Sequence, residues 1–264
     1  MRHKISIMLI AVMALGYGLP AWSWGQKGHR IIAQIAYDNL SRKARKAVDK
    51  SLGKDGIVYW SNWADEIKSD TIYPDSYDWH FQDFDGGMTD SAVVAALSDY
   101  PKEGGKLFRA MDSLVNECQA TKKKGIKVHT LRFVIHLAGD RYCPMHTAHM
   151  DDRGGNDVKM KWFKGNTRLH TVWDTHLIES QGYSFSEYAQ KLEREYGCRK
   201  KAIIGMSDAE LLVHNYHFTE AIYAYQANWD GNTYHYIYRW RQPMEEQLYI
   251  AGIRLAQLLN QIYQ

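Results

Sequence analysis

Cysteine is scarce: three residues, Cys118, Cys143 and Cys198, serve a chain of 264. They allow at most one internal disulfide, which excludes a small scaffold stapled by disulfides. Net charge is nearly absent too. It is +3 overall, and removing Arg2 and Lys4 with a leader would lower +3 to +1. Binding of nucleic acid through bulk positive charge is thereby excluded, so any phosphate affinity must be local. Beyond the first fifteen residues no apolar run is long enough to cross a bilayer. Repeats and low-complexity linkers are missing, which removes solenoids and strings of tethered domains from consideration.

What the chain does have begins with a leader. Arg2, His3 and Lys4 precede an apolar run from Ile5 to Leu15, broken only by Ser6. The run is too short to span a membrane and lacks a stop-transfer pattern, so it reads as a secretory signal. Ala21 and Ser23 supply the small residues of a cleavage site, and cutting after Ser23 would leave Trp24 as the N-terminus. No cysteine follows the apolar run, which argues against a lipid anchor. Residues 1–23 are therefore expected to be removed and the protein exported, to the periplasm or the medium. Residues 24–264 are expected to form one domain, long enough for one good-sized core.

Helical spacing dominates that domain. Ile32, Ile35, Ala36 and Leu40 mark a helix over 29–40, and Ser41 caps a second over 42–52 that Gly53 ends. Further helices are expected over 106–120, 128–142, 208–225 and 244–262, with Pro144 stopping the second of these. One stretch alternates: Val158, Met160 and Trp162 against Lys159 and Lys161, followed by Gly165-Asn166. It reads as a hairpin with its turn at the Gly-Asn pair. The fold class is thus mostly α, with a small β excursion.

The chemistry gathers in "FVIHLAGDRYCPMH", residues 133–146. His136 and Asp140 are four apart on an expected helix and share an otherwise apolar face. Alone, such a pair is most often an ordinary capped or surface pair. But His146 follows past the helix-ending proline, and "LHTVWD" repeats the spacing with His170 and Asp174. Imidazole and carboxylate are ordinary zinc ligands, and four residues make about one helical turn. Upstream, Asp65 sits in "NWADEIK" and His80 in "DWHFQDF". Each taken singly is ordinary: a surface acid and a satisfied core histidine.

Together these segments resemble the zinc-dependent single-strand nucleases of the S1/P1 type. The resemblance runs from Trp24 almost to the C-terminus. It rests on "WGQKGH", "WAD", "HF", "IHLAGD" continuing to "PMH", "RGGN" and "LHTVWD", in that order. It implies a multi-helix fold of the phospholipase C/P1 nuclease kind with three zinc ions in a cleft. By matching position, Asp65, His80, His136 and Asp140 would hold one ion. His146, His170 and Asp174 would hold a second. Trp24, through its free amino nitrogen and carbonyl oxygen, would hold the third with His29, and Asp140 would bridge it to the first. Each ion would then keep open positions, the catalytic pattern for zinc. Asp65 and Asp140 would be the catalytic carboxylates, holding ions that activate water for attack on phosphorus. The implied activity is hydrolysis of single-stranded DNA or RNA to 5′-phosphates and removal of 3′-phosphates from nucleotides.

The resemblance also implies substrate contacts: an acid at Asp83, a base-stacking ring at Phe81, and phosphate contacts at Asn156 and Lys68. The hairpin lysines (Lys159, Lys161, Lys164) read more simply as a solvent face. Cys143 and Met145 stand where relatives usually carry Gln and Leu. Neither is a ligand position, though an exposed Cys143 would be open to adventitious metal. His149, His176, His214, His217 and His235 match no ligand position. Two other readings compete. A zinc phospholipase C also starts its site at a Trp N-terminus, but His29 comes five residues after Trp24 and Asp174 replaces the phospholipase Glu. A non-catalytic exported zinc-binding protein would hold zinc in closed sites. No obligate protein partner and no membrane anchor are expected.

Overall fold

The computed structural model describes residues 24–54 and 56–264; the leader and its cleavage site lie outside them. The chain begins with α1 (Gln26–Asp38), α2 (Arg42–Leu52), α3 (Gly56–Trp60) and α4 (Trp63–Glu66). Then come α5 (Asp90–Ala95), α6 (Leu107–Thr121) and α7 (Val128–Asp140). A hairpin of β1 (Lys159–Trp162) and β2 (Gly165–Arg168) leads to α8 (Leu169–Thr171), a π-helical turn Val172–His176 and α9 (Leu177–Glu179). The chain closes with α10 (Phe185–Tyr196), α11 (Lys200–Gly205), α12 (Asp208–Gln226) and α13 (Thr233–Ile262). The expectation of a mostly helical fold with one small hairpin holds.

Helices start where the sequence caps them. Ser41 Oγ accepts from the Ala44 N–H at 3.2 Å, and Gly53 ends α2 with φ at 85°. Capping boxes open α10 at Ser184 and Glu187, and α12 at Ser207 and Glu210. The core forms where α1 lies along α13. Ile31, Ile32, Ile35 and Ala36 on α1 are buried, as are Leu248, Ala251, Leu255 and Leu259 on α13. A β-carbon at Gly252 would stand 2.6 Å from Ile35 Cβ, so only glycine lets these helices come so close. Helix α7 packs into the same core, buried along almost its whole length. A smaller apolar cluster, with Phe84, Phe108 and Tyr216, sits under α5 and α12.

Two expectations about elements are corrected. Helix α13 does not begin at Met244 but at Thr233, and Pro243 lies inside it. An internal proline costs about 3 kcal/mol. Burial of Tyr236 and Trp240 on the preceding turns offsets it, at roughly 1.5–3 kcal/mol for a large apolar side chain. Tyr236 also accepts a hydrogen bond from Trp173 Nε1 at 2.9 Å. The hairpin turn is not Gly165-Asn166. Trp162 pairs with Gly165 and Lys161 with Asn166, so Phe163 and Lys164 make the turn, with Phe163 at φ 52°. The Phe163 N–H donates to Thr233 Oγ1 at 2.9 Å, so a contact to the start of α13 holds the turn there. Lys159, Lys161 and Lys164 are exposed, as the alternation implied. All three cysteines are free, and no described helix is long and apolar enough to cross a membrane.

Candidate metal centre

Helix α7 sets the frame. Its one-turn spacing delivers His136 and Asp140 to the same buried spot. Asp65 arrives from α4 and His80 from the end of the 3-10 turn Ser76–His80. Asp65 Oδ1 stands 3.6 Å from His80 Nδ1 and 3.4 Å from His136 Nε2. His80 Nδ1 stands 3.1 Å from His136 Nε2 and 3.0 Å from Asp140 Oδ2, and His136 Nε2 is 3.3 Å from that oxygen. Ligand atoms on a tetrahedral zinc with bonds of about 2.0–2.1 Å are separated by about 3.3 Å. Four donors from three segments of the chain are thus set near the corners of such a tetrahedron.

His29 on α1 meets the other side of Asp140. Its Nε2 is 3.2 Å from Asp140 Oδ1, and its ring stacks on His136 with centroids 3.8 Å apart. A β-carbon on residue 139 would reach His29 Nδ1 at 3.1 Å, so glycine beside Asp140 clears the space for this ring. Asp140 therefore turns one oxygen to each group. Trp24 is buried, and the next N–H, that of Gly25, donates to Asp174 O at 2.6 Å. That bond ties the start of the described chain to the turn carrying Asp174.

A second cluster is built from irregular backbone. His146 ends the 3-10 turn Pro144–His146, His170 lies on α8, and Asp174 lies in the π-helical turn. His170 Nε2 approaches Asp174 Oδ2 at 2.9 Å and His146 Nε2 approaches Asp174 Oδ1 at 3.9 Å. The sequence reading missed one neighbour: Cys143 is fully buried, with Sγ 3.3 Å from Asp174 Oδ1. Its scarcity was visible in the sequence, but its burial was not.

Backbone carbonyls orient these rings. His136 Nδ1 pairs with Ser61 O at 2.6 Å, His146 Nδ1 with His80 O at 2.5 Å, and His170 Nδ1 with Gly154 O at 2.6 Å. Each carbonyl can only accept, so Nδ1 carries a proton and Nε2 is the ring nitrogen turned to the cluster. Metal-binding histidines are fixed in this way. Neither oxygen of Asp65, nor His146 Nε2, nor Asp174 Oδ2 has an aligned hydrogen-bond partner, although all are buried. The close approaches to Asp65 Oδ1 and Asp174 Oδ2 are contacts of distance without hydrogen-bond alignment. Buried donors left unsatisfied are costly, and a shared cation would satisfy them.

The local field says the same. Burial alone would raise the Asp65 and Asp140 carboxyls, but it is outweighed by His136 acting together with Lys68 and His80 at Asp65 and with His146 and His29 at Asp140, which hold both below the usual carboxylate range. Burial likewise opposes charge on His136, yet Asp140 and Asp65 lift it to about 10. Burial, reinforced by Lys68, pushes His80 down to about 3. Two buried anionic carboxylates among imidazoles make a site that calls for positive charge. Nitrogen and oxygen donors in this number and spacing suit zinc.

The clusters open into a cleft of about 900 Å³ whose walls include Lys68, Phe81, Asp83, Asn156 and His170. Lys68 Nζ lies 2.7 Å from Asp65 Oδ1. Asn156 Nδ2 donates to Arg153 O at 2.8 Å and lies 3.2 Å from His170 Nδ1. Phe81 is half-buried and meets exposed Tyr77 edge to face at 6.3 Å. Burial pushes the Asp83 carboxyl up to about 8, and its Oδ1 has no hydrogen-bond partner. All the substrate-contact candidates thus line one cleft. Of the unmatched histidines, His149 stacks on Tyr223 and pairs with Glu220, while His176 stacks on Trp162.

The sequence matches a known family and several known proteins. The family model described as S1/P1 Nuclease matches residues 24–264. Endonuclease 2 of Arabidopsis thaliana is 26% identical over 294 aligned positions, covering 97% of each chain. Endonuclease 4 of the same plant is 27% identical over 92% of this chain and 90% of its own. Nuclease S1 of Aspergillus oryzae is 29% identical over 69% of this chain and 63% of its own.

Proposed function

The chain belongs to the S1/P1 nuclease family, and on that footing we propose that it is an exported zinc-dependent phosphodiesterase. It cleaves single-stranded DNA or RNA to 5′-phosphate products and removes 3′-phosphates from nucleotides. Asp65, His80, His136 and Asp140 hold one of three zinc ions. His146, His170 and Asp174 hold another, and His29 with the backbone of a newly exposed Trp24 holds the third, with Asp140 shared. Zinc in these positions supplies water activated near neutral pH and positive charge for the phosphoryl and leaving oxygens.

The observation that carries this reading is the near-tetrahedral set around Asp65, His80, His136 and Asp140, with donor separations of 3.0–3.6 Å. The protein's own groups do the rest. The carbonyls of Ser61, His80 and Gly154 hold three imidazoles in one tautomer, so no reorganisation is needed when substrate enters. Lys68 and Asn156 bring a cation and an amide donor to the phosphate path. Phe81 offers a ring face that an unpaired base can stack on without regard to sequence. Duplex bases are already stacked on one another and cannot reach it. Asp83 presents a hydrogen-bonding carboxyl beside that ring.

The test is a paired assay on 3′-AMP and a single-stranded oligonucleotide, using protein that begins at Trp24, with zinc counted in the same sample. Both substrates are hydrolysed, chelation abolishes both activities, and zinc restores them. Zinc bound with no turnover would mean a non-catalytic zinc carrier. Turnover of phosphatidylcholine without nucleotides would mean a phospholipase.

A further inference from the structure

Cys143 lies in the second cluster without a part in the nuclease reading. Its side chain is fully buried, and its Sγ is 3.3 Å from Asp174 Oδ1. Sγ, a ring nitrogen of His146 and a carboxylate oxygen of Asp174 all lie within 4.8 Å of one another. His146 Nε2 is buried with no hydrogen-bond partner, and its tautomer is set by His80 O, so a lone pair points into this group. His170 Nε2 lies outside this group of three and approaches the other oxygen of the same carboxylate, Asp174 Oδ2, at 2.9 Å. A zinc–sulfur bond of about 2.3 Å beside zinc–nitrogen or zinc–oxygen bonds of about 2.0 Å places sulfur roughly 3.5 Å from its co-ligands. The observed 3.3 Å between Sγ and Asp174 Oδ1 is close to that spacing.

We propose that Cys143 is a fourth protein donor to the second metal site, as a thiolate beside His146, His170 and Asp174. This rests on the proposal that the cluster binds zinc. On binding, the S–H bond breaks, its proton leaves to solvent, and the sulfur electron pair forms the bond to the metal; nothing is oxidised or reduced. Four protein donors match the first site in number, and the soft one among them favours thiophilic ions there. One centre then combines a hard cluster with a sulfur-containing one.

Cobalt substitution of the full chain beginning at Trp24 tests it by spectroscopy. The cobalt-loaded protein shows the intense near-ultraviolet thiolate-to-cobalt charge-transfer band, and Cys143→Ser removes that band while keeping the weaker visible bands of the other ions. In Cys143→Ala the zinc affinity of one site falls by more than the ~10–100-fold that an outer-shell partner costs. Cadmium displaces zinc more readily from the unsubstituted protein than from either variant. Cobalt bound with no charge-transfer band overturns the sulfur donor and leaves Cys143 as a hydrogen-bond donor to Asp174. No cobalt or zinc bound at all overturns the metal reading beneath it. The band is read on the unsubstituted protein, so a misfolded variant does not remove the test.

Discussion

The two donor clusters are built in opposite ways. The first hangs on a regular helix: α7 supplies His136 and Asp140 from successive turns, and its donors are nitrogen and oxygen. The second is assembled from a 3-10 turn, a short helix and a π-helical turn, and it includes a sulfur. Helix geometry sets half of the first, His136 and Asp140, and packing brings Asp65 and His80 to them. Single-turn π segments are rare and gather at functional sites, and the second depends on tertiary hydrogen bonds to hold its rings. Asp140 gives one oxygen to the first cluster and the other to His29. Damage there should spread, while damage at Asp174 should stay local.

The largest expected effect breaks that asymmetry directly. Asp140→Asn is expected to lose more zinc per chain than Asp174→Asn, read by metal analysis of folded protein. Both lose activity by more than ~100-fold, since even outer-shell partners cost ~10–100-fold. Equal zinc loss would show that Asp140 serves one ion only. A smaller effect is expected at Phe81 on the cleft wall, which is not itself a donor of either cluster. Phe81→Ala removes stacking of roughly 1–3 kcal/mol per base. That raises KM for single-stranded oligonucleotides by roughly 5- to 150-fold with zinc content unchanged. An unchanged KM would rule out Phe81 as a platform for a base.

The smallest effect concerns Asp83, on the second cluster's side of the cleft, where His170 and Asp152 act on it in opposite directions. Burial raises its carboxyl to about 8, against about 3.9 for an unperturbed aspartate. Between those values the folded chain keeps a proton that the unfolded chain releases. Stability therefore falls as pH rises through this window, by at most ~1.4 kcal/mol per pH unit. Asp83→Asn flattens that slope. In chelator-treated protein the variant should gain on the parent between pH 5 and pH 8 in urea unfolding. A constant offset at both pH values would remove burial as the cause.

Much of the centre was readable from the chain because its side chains come in short local patterns. His136 with Asp140, and His170 with Asp174, announce themselves by one-turn spacing. Ser41 and Gly53 announce the ends of α2. The capping box at Ser184 and Glu187 was equally readable and marks α10, a helix that apolar spacing alone did not bring out. Other features had no local signal. The carbonyls of Ser61, His80 and Gly154 orient the histidines, yet every residue has a carbonyl. Pro243 reads as a boundary and is not one, because Tyr236 and Trp240 bury against Trp173 from the turns before it. Gly165-Asn166 reads as a turn and is not one, because Thr233 holds Phe163 in that place.

The sequence by itself determined the helical class, the order of the donors and the chemical type of nearly all of them. Residue identity and i, i+4 spacing are local properties, and the helix converts them into shared faces without reference to distant segments. Only the tertiary structure decided which donors meet, which oxygen of Asp140 faces which group, and that Cys143 belongs beside Asp174. Those outcomes depend on where α1, α4, α7 and the π-helical turn pack against one another. Close approaches such as those at Gly139 and Gly252 are set by the whole core at once.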